Sequence, residues 1–157
     1  MSSFGKICLE PVGLVKTEAI GKEVRDKNVV SQLIFREEYT EALEGVEEFS
    51  HLFVLFWLHK MSDDDRRVMK VHPRGRRDMP LLGIFATRAP HRPNPIGLTR
   101  VKLLKVEGNV ITVQGLDAFD GTPVLDIKPF DSWDTSEDLK VPAWWMKLAK
   151  ERKNKKE

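Results

Sequence analysis

No apolar run in this chain exceeds seven residues, and the longest, Leu52–Leu58 (LFVLFWL), sets aliphatic and aromatic side chains in immediate succession. A helix that crosses a bilayer needs about 20 such residues, and a surface helix spaces its apolar positions by three and four. The segment is therefore expected as a central strand, covered by the core on one face and by a helix or a second subunit on the other. Other short apolar stretches lie between turn signals: Ile7–Val15, bent by Pro11 and Gly13; Val29–Phe35; Leu81–Thr87; and Leu98–Val106 with Val110–Val113 across the tight-turn pair Gly108-Asn109. Pro123–Phe130 follows a turn at Asp120-Gly121. Only two stretches carry helical spacing. In one, Tyr39, Ala42, Leu43 and Val46 recur amid Glu37, Glu38, Glu41, Glu44 and Glu48; in the other, Trp144, Trp145, Leu148 and Ala149 follow Pro142.

About seven strands, one or two short helices and no strand-helix alternation predict an all-β or β-rich fold, a single small antiparallel β-barrel. The barrel domain is expected over residues 1–132, and residues 133–157 as a basic C-terminal helix and tail of the same domain. A length of 157 residues suits one domain, and 41% hydrophobic with 32% charged residues is a globular mixture, not a disordered one.

Several functions are excluded early. Cys8 is the only cysteine, so no intramolecular disulfide, CxxC redox pair or multi-cysteine zinc site can form. No GxG occurs, and neither Gly5-Lys6 nor Gly21-Lys22 ends a P-loop. His51 and His59 lie eight residues apart along a strand, about 26 Å, while His72 and His91 sit in basic surroundings, so no metal is expected. The opening MSSFGKICLEP has no apolar core of a signal peptide, which leads to the expectation of a cytoplasmic protein with no membrane segment.

The formal net charge is only +2, but the charges are segregated. Arg66–Arg77 (RRVMKVHPRGRR) holds six cations and no acid, Lys140–Glu157 holds seven cations against Glu151 and Glu157, and acids gather over Glu37–Glu48. A positive side that meets phosphates is the expected consequence, with Arg74, Arg76 and Arg77 as candidate contacts; the bland alternative is a solvated surface.

The densest segment is Ala86–Gly97 (ATRAPHRPNPIG). Pro90, Pro93 and Pro95 fix φ and remove three backbone donors, which forbids a regular helix or strand interior. A stiff loop that holds Arg88, His91, Arg92 and Asn94 at set positions suits a binding site, because little entropy remains to be lost when ligand arrives. The alternative is a barrel corner whose arginines pair with structural acids such as Asp117, Asp120 or Asp126.

Residues Leu43–His51 (LEGVEEFSH), Phe85–Arg88 (FATR), His91–Gly97 (HRPNPIG) and Leu116–Pro129 (LDAFDGTPVLDIKP) together resemble the TsaA-like, or TrmO, family of tRNA methyltransferases. The likeness runs from Val12 to about Phe130. Where bacterial members carry a Pro-Arg-Gln-Pro-Gly stretch, this chain has Gly21–Asn28 (GKEVRDKN). The resemblance implies an S-adenosylmethionine-dependent enzyme on one small barrel, a homodimer with the cofactor near the subunit interface. It implies as substrate the threonylcarbamoyl-modified adenosine beside the anticodon of tRNA, methylated on N6.

By the same resemblance, His59, Lys60, Arg88, Leu98, Gly115, Leu116 and Asp117 match cofactor-binding positions, while Arg92, Asn94, Asp126 and Lys128 fall in the motif core. Arg88 suits the cofactor carboxylate, Asp117 its ammonium or ribose, and Leu98 and Leu116 its adenine. A base for N6 would be Asp126, Asp120 or His59, and Arg92 or Lys128 would meet the substrate carboxylate. Two other functions fit the composition: methylation of a different acceptor, and a non-catalytic RNA-binding barrel displaying Phe119, Trp57 and Trp133.

Overall fold

A computed structural model describes residues 4–154. Lys155 and Lys156 of the basic tail, counted above among its cations, lie outside the described residues. The strands are β1 (Gly13–Lys16), β2 (Val30–Phe35), β3 (His51–Trp57), β4 (Lys70–Val71), β5 (Leu82–Gly83), β6 (Ile96–Glu107), β7 (Val110–Gln114) and β8 (Pro123–Pro129), and one α-helix, α1, covers Ala143–Asn154. Six of these strands close an antiparallel barrel in the order β1-β2-β7-β6-β3-β8, while β4 and β5 form a separate two-stranded ribbon. The barrel thus has one strand fewer than the sequence predicts.

The chain divides into two compact units. The first is the barrel, made by the chain up to Met61 together with Pro95–Asp131; the second comprises Ser62–Asn94 with the chain from Ser132 onward.

Alternation builds the barrel core. Successive side chains of a strand point to opposite faces, so Leu33 and Phe35 of β2, Leu52, Val54 and Phe56 of β3, and Ile111 and Val113 of β7 all turn inward and are buried. The outer face of β3 (His51, Phe53, Leu55, Trp57) is only half-buried in this chain. Gly97 opposes Phe56 across β6 and β3, and a Cβ at Gly97 would stand 2.3 Å from the Phe56 ring. The glycine of the RPNPIG string is thereby explained by packing: only hydrogen fits beneath that ring. At the hairpin between β6 and β7, Gly108 takes φ 57, and the Asn109 side-chain amide donates to the Phe35 carbonyl at 2.6 Å.

Three expectations are corrected. The amphipathic segment around Tyr39 is a series of 3-10 turns, Glu37–Tyr39, Glu41–Leu43 and Val46–Glu48, not an α-helix. Thr40 Oγ1 donates to the Glu37 carbonyl at 2.7 Å, and Gly45 at φ 87 separates the last two turns. Leu81–Thr87 is not a long buried strand. Only Leu82–Gly83 pairs, Ile84–Ala86 winds into a 3-10 turn, and Ile84 donates its N–H to the Met69 carbonyl at 2.9 Å. Ile7–Val15 contributes a strand only from Gly13. Helix α1 does begin after Pro142, whose carbonyl accepts from Trp145 and Met146, and it buries Leu148 within the second unit. No helix among the described residues is long and apolar enough to cross a membrane.

Candidate active site

Within the barrel, β3 runs between β6 and β8, and its register fixes what shares the outer face. Leu55 stands between Leu98 and Asp126, and Phe53 between Arg100 and Lys128. Directly opposed residues lie on one face of a sheet, so Leu98, Asp126 and Lys128 share a patch floored by Phe53 and Leu55. A bulge between Leu55 and Phe56 shifts the β8 register and lets Val124 point inward while Asp126 points out. Lys128 Nζ lies 3.1 Å from Asp126 Oδ2, with both side chains about half exposed or more. Leu98 is 46% exposed, an apolar side chain open to a ligand. Phe130 closes one side, its ring 5.4 Å from Phe53 edge-on and 5.0 Å from the Arg100 guanidinium.

Two further pieces of the barrel carry candidates. At the end of β3 the Leu58 N–H donates to the Pro95 carbonyl at 2.7 Å, anchoring the start of β6; His59 and Lys60 follow, exposed, with Lys60 Nζ 3.9 Å above the Phe119 ring. After β7, Gly115 adopts φ 89 and donates to the Val29 carbonyl. Asp117 is exposed. Leu116 corrects an expectation: its side chain is 0% exposed within the core cluster, so it cannot face adenine, and only its backbone is open to that role. Asp120 is engaged as well. Its Oδ1 accepts the Thr17 N–H at 3.0 Å and ties the turn before β8 to the end of β1.

In the second unit the proline-rich loop is stitched from within. Thr87 Oγ1 donates to the Ile84 carbonyl at 2.9 Å and accepts from the Ala89 N–H at 3.2 Å; Arg92 Nη1 donates to the Thr87 and Ala89 carbonyls at 3.1 and 3.0 Å. That Arg92 nitrogen therefore holds the loop's shape. Arg88 and Asn94 stay exposed, and Arg88 has no acid partner among the described residues. The loop is braced externally by the turn at Ser62–Arg67. Arg66 Nε donates to the Pro93 carbonyl at 2.8 Å, and His91 Nε2 lies 3.6 Å from Asp65 Oδ1. The Ser62 amide and hydroxyl, with His91 as a smaller influence, hold the Asp65 carboxyl below its ordinary value. Arg66 was expected only within a basic run; its partner 27 residues on leaves no local mark in the sequence.

The basic turn is also structured. Arg74 takes the left-handed φ of 58 and is exposed, as is Arg77. Arg76 does not point freely outward. Its guanidinium forks onto Asp78 at 2.6 and 2.9 Å and also bonds Glu151 of α1, while Lys147 of α1 reaches Asp78 at 3.1 Å. These bonds raise the Arg76 pKa and hold the Asp78 carboxyl well below the usual carboxylate range. Among the described residues no group of three His, Cys, Asp or Glu side chains is placed to hold a metal.

A small closed antiparallel barrel with an exposed acid, cation and apolar side chain on one outer face, in a chain that also carries a proline-stiffened cationic loop, places the protein among closed β-barrels and apart from nucleotide-binding α/β folds. The family model for the tRNA-methyltransferase O N-terminal domain matches residues 19–134, and the chain belongs to that family. It is 44% identical over 130 residues to a protein of Methanothermobacter thermautotrophicus named "Probable S-adenosyl-L-methionine-binding protein", covering 80% of this chain and 90% of that one. It is 48% identical over 101 residues to the mouse (Mus musculus) tRNA (adenine(37)-N6)-methyltransferase, covering 64% of this chain and 23% of the mouse protein. The crystal structure of TrmO from Pseudomonas aeruginosa superposes with a TM-score of 0.71 at 31% identity, covering 88% of this chain and 63% of that one. The chain thus spans under two thirds of the solved structure and about a quarter of the mouse enzyme.

Proposed function

We propose that this chain transfers a methyl group from S-adenosylmethionine to N6 of the adenosine beside the anticodon of tRNA, and that the acceptor is the threonylcarbamoyl-modified base. The observation that carries the proposal is the pairing of family membership with an exposed Arg88, without an acid partner among the described residues, on a loop stiffened by three prolines. Within each unit, residues suit a part of the cofactor's chemistry. In the barrel, Asp117 offers an acceptor for an ammonium or ribose and Leu98 an apolar wall for adenine; in the second unit, Arg88 offers a planar fork for a carboxylate. When bound, the cofactor supplies a methyl group on a sulfonium, already an activated leaving group.

What remains for the protein is to position the acceptor and to remove its N6 proton. Asp126 is assigned that proton because it shares the Leu98 face, whereas Asp120 is committed to the Thr17 amide and His59 lies beyond the end of β3. Lys128 is assigned the threonyl carboxylate. An exposed ion pair is worth little, so Lys128 exchanges Asp126 for the substrate carboxylate at small cost and leaves Asp126 free to take the proton.

The chain acts as a homodimer in this proposal, in the cytoplasm where tRNA is used. The end of the β3 outer face, where half-buried Trp57 opposes the exposed Ile96, supports a second copy packing beside the Leu98 patch and not over it, and light scattering at micromolar concentration should give twice the 18.1 kDa mass.

The deciding experiment follows labelled methyl from S-adenosylmethionine into tRNA with and without the threonylcarbamoyl group. Label in the modified tRNA alone is the expected result. Thermal stabilisation by the cofactor without label moves the acceptor elsewhere, and neither label nor stabilisation leaves an RNA-binding barrel.

A further inference from the structure

The two units differ sharply in charge. The second, Ser62–Asn94 with the chain from Ser132, carries 15 Lys or Arg against 9 Asp or Glu, whereas the barrel carries 11 against 15. Two groups of its cations lie far apart in sequence, the turn around Arg74–Arg77 and helix α1 with Lys150, Arg152 and Lys153. Two loosely held cationic segments would each have to be ordered on binding a polyanion, at a cost in side-chain and backbone entropy.

Four residues join them. Arg76 bonds both Asp78, at 2.6 and 2.9 Å, and Glu151 of α1; Asp78 in turn accepts from Lys147 of α1 at 3.1 Å. The arrangement alternates sign, Lys147, Asp78, Arg76, Glu151, so each charge has a partner and the set contributes no net charge of its own. Glu151 lies among Lys150, Arg152 and Lys153, where an acid with no partner would only weaken phosphate binding. Its bond to Arg76 gives it another use.

We propose that Asp78, Glu151, Arg76 and Lys147 form a clamp that braces the basic turn against α1, so that both cationic stretches make one preordered surface for the phosphates of an RNA stem. The proposal rests on the tRNA reading above and assigns these four residues positioning roles; Arg74, Arg77 and the α1 cations outside the clamp meet the phosphates. The lowered pKa of Glu151, caused chiefly by its bond to Arg76, agrees with a carboxylate held in this geometry.

The test exploits opposite signs. If Glu151 is only a negative charge beside a cationic surface, Glu151→Gln tightens tRNA binding and Glu151→Asp leaves it unchanged. If Glu151 is part of the clamp, both variants weaken it, by about fivefold, since neither side chain can hold Arg76 as Glu does. The measurement is the dissociation constant of fluorescently labelled tRNA over a salt series, on the full chain. The expected result is weaker binding for both variants, a salt slope smaller by about one for each phosphate no longer engaged, and cofactor-induced thermal stabilisation equal to that of the unaltered chain. Unchanged or tighter binding by either variant overturns the clamp. Should the Gln variant fold poorly, Glu151→Asp, which keeps the charge, decides alone. Failure of the unaltered chain to bind tRNA overturns the tRNA reading and the clamp together, and is thereby distinguishable from failure of the clamp alone.

Discussion

Asp126 and Lys128 sit 3.1 Å apart on the same face as Leu98, and the two side chains are expected to fail differently. Asp126→Asn keeps size and hydrogen bonding but cannot take a proton, so single-turnover methylation should fall by roughly 10²- to 10⁴-fold with tRNA affinity unchanged. Lys128→Met should instead raise KM for the modified tRNA more than it lowers kcat; equal loss on both would assign Lys128 a part in the transition state. Gly97 makes a prediction about stability. With a Cβ 2.3 Å from the Phe56 ring, Gly97→Ala should destabilise the barrel by about 1–3 kcal/mol, read as a lowered denaturation midpoint, and Gly97→Ala combined with Phe56→Leu should recover part of it.

At the scale of elements, the proline-rich loop is held by its neighbours as well as by its own prolines. Arg66 Nε on the Pro93 carbonyl and His91 beside Asp65 fix it from outside, and Arg92 fixes it from within. Arg66→Ala should therefore lower kcat for methyl transfer several-fold with little effect on stability, and Arg66→Lys, a cation without the guanidinium's directed Nε–H, should fail to restore it. Restoration by Lys would show that charge, not the bond to Pro93, matters. The clamp in the second unit carries a pH dependence of determined sign. Asp78 and Glu151 have folded pKa values lowered from the ordinary 3.8 and 4.5, so their contribution is complete above those values and is lost as pH falls through the lowered folded ones. Tryptophan fluorescence of α1, which bears Trp144 and Trp145, should accordingly stay constant above those ordinary values and change only as pH falls below them.

For the whole molecule, charge segregation dominates. A net charge of +2 conceals a cationic unit and an acidic barrel, and binding driven by phosphates should respond to salt accordingly. Between about 50 and 200 mM salt, tRNA affinity should fall by at least roughly tenfold while cofactor affinity changes little, as measured by anisotropy and by thermal shift. Arg74→Ala with Arg77→Ala should flatten that slope; an unchanged slope would remove the turn from the interface.

The barrel was legible in the chain because strand alternation and turn chemistry are local. Leu52–Leu58, the Gly108-Asn109 hairpin and Pro123–Phe130 each carry their signal within a few residues, and the motif strings carry the family. Other features were decided by bonds that spacing does not reveal, some local and some distant in sequence. Spacing alone suggested a helix around Tyr39, but Thr40 bonding the Glu37 carbonyl and the Gly45 break yielded short turns. Leu116 belonged to the core, not to an adenine wall, because closure of the barrel turned its side chain inward. Arg66 and Arg76 read alike in sequence as members of one basic run, yet they find Pro93 and Glu151, 27 and 75 residues away. The sequence by itself determined the strands, the stiff loop and the segregation of charge, since periodicity, proline and ionisation act over single residues or their neighbours. Which charged groups stay open to a ligand and which are used to hold the structure was decided only by tertiary structure, because a hydrogen bond depends on where the chain returns in space.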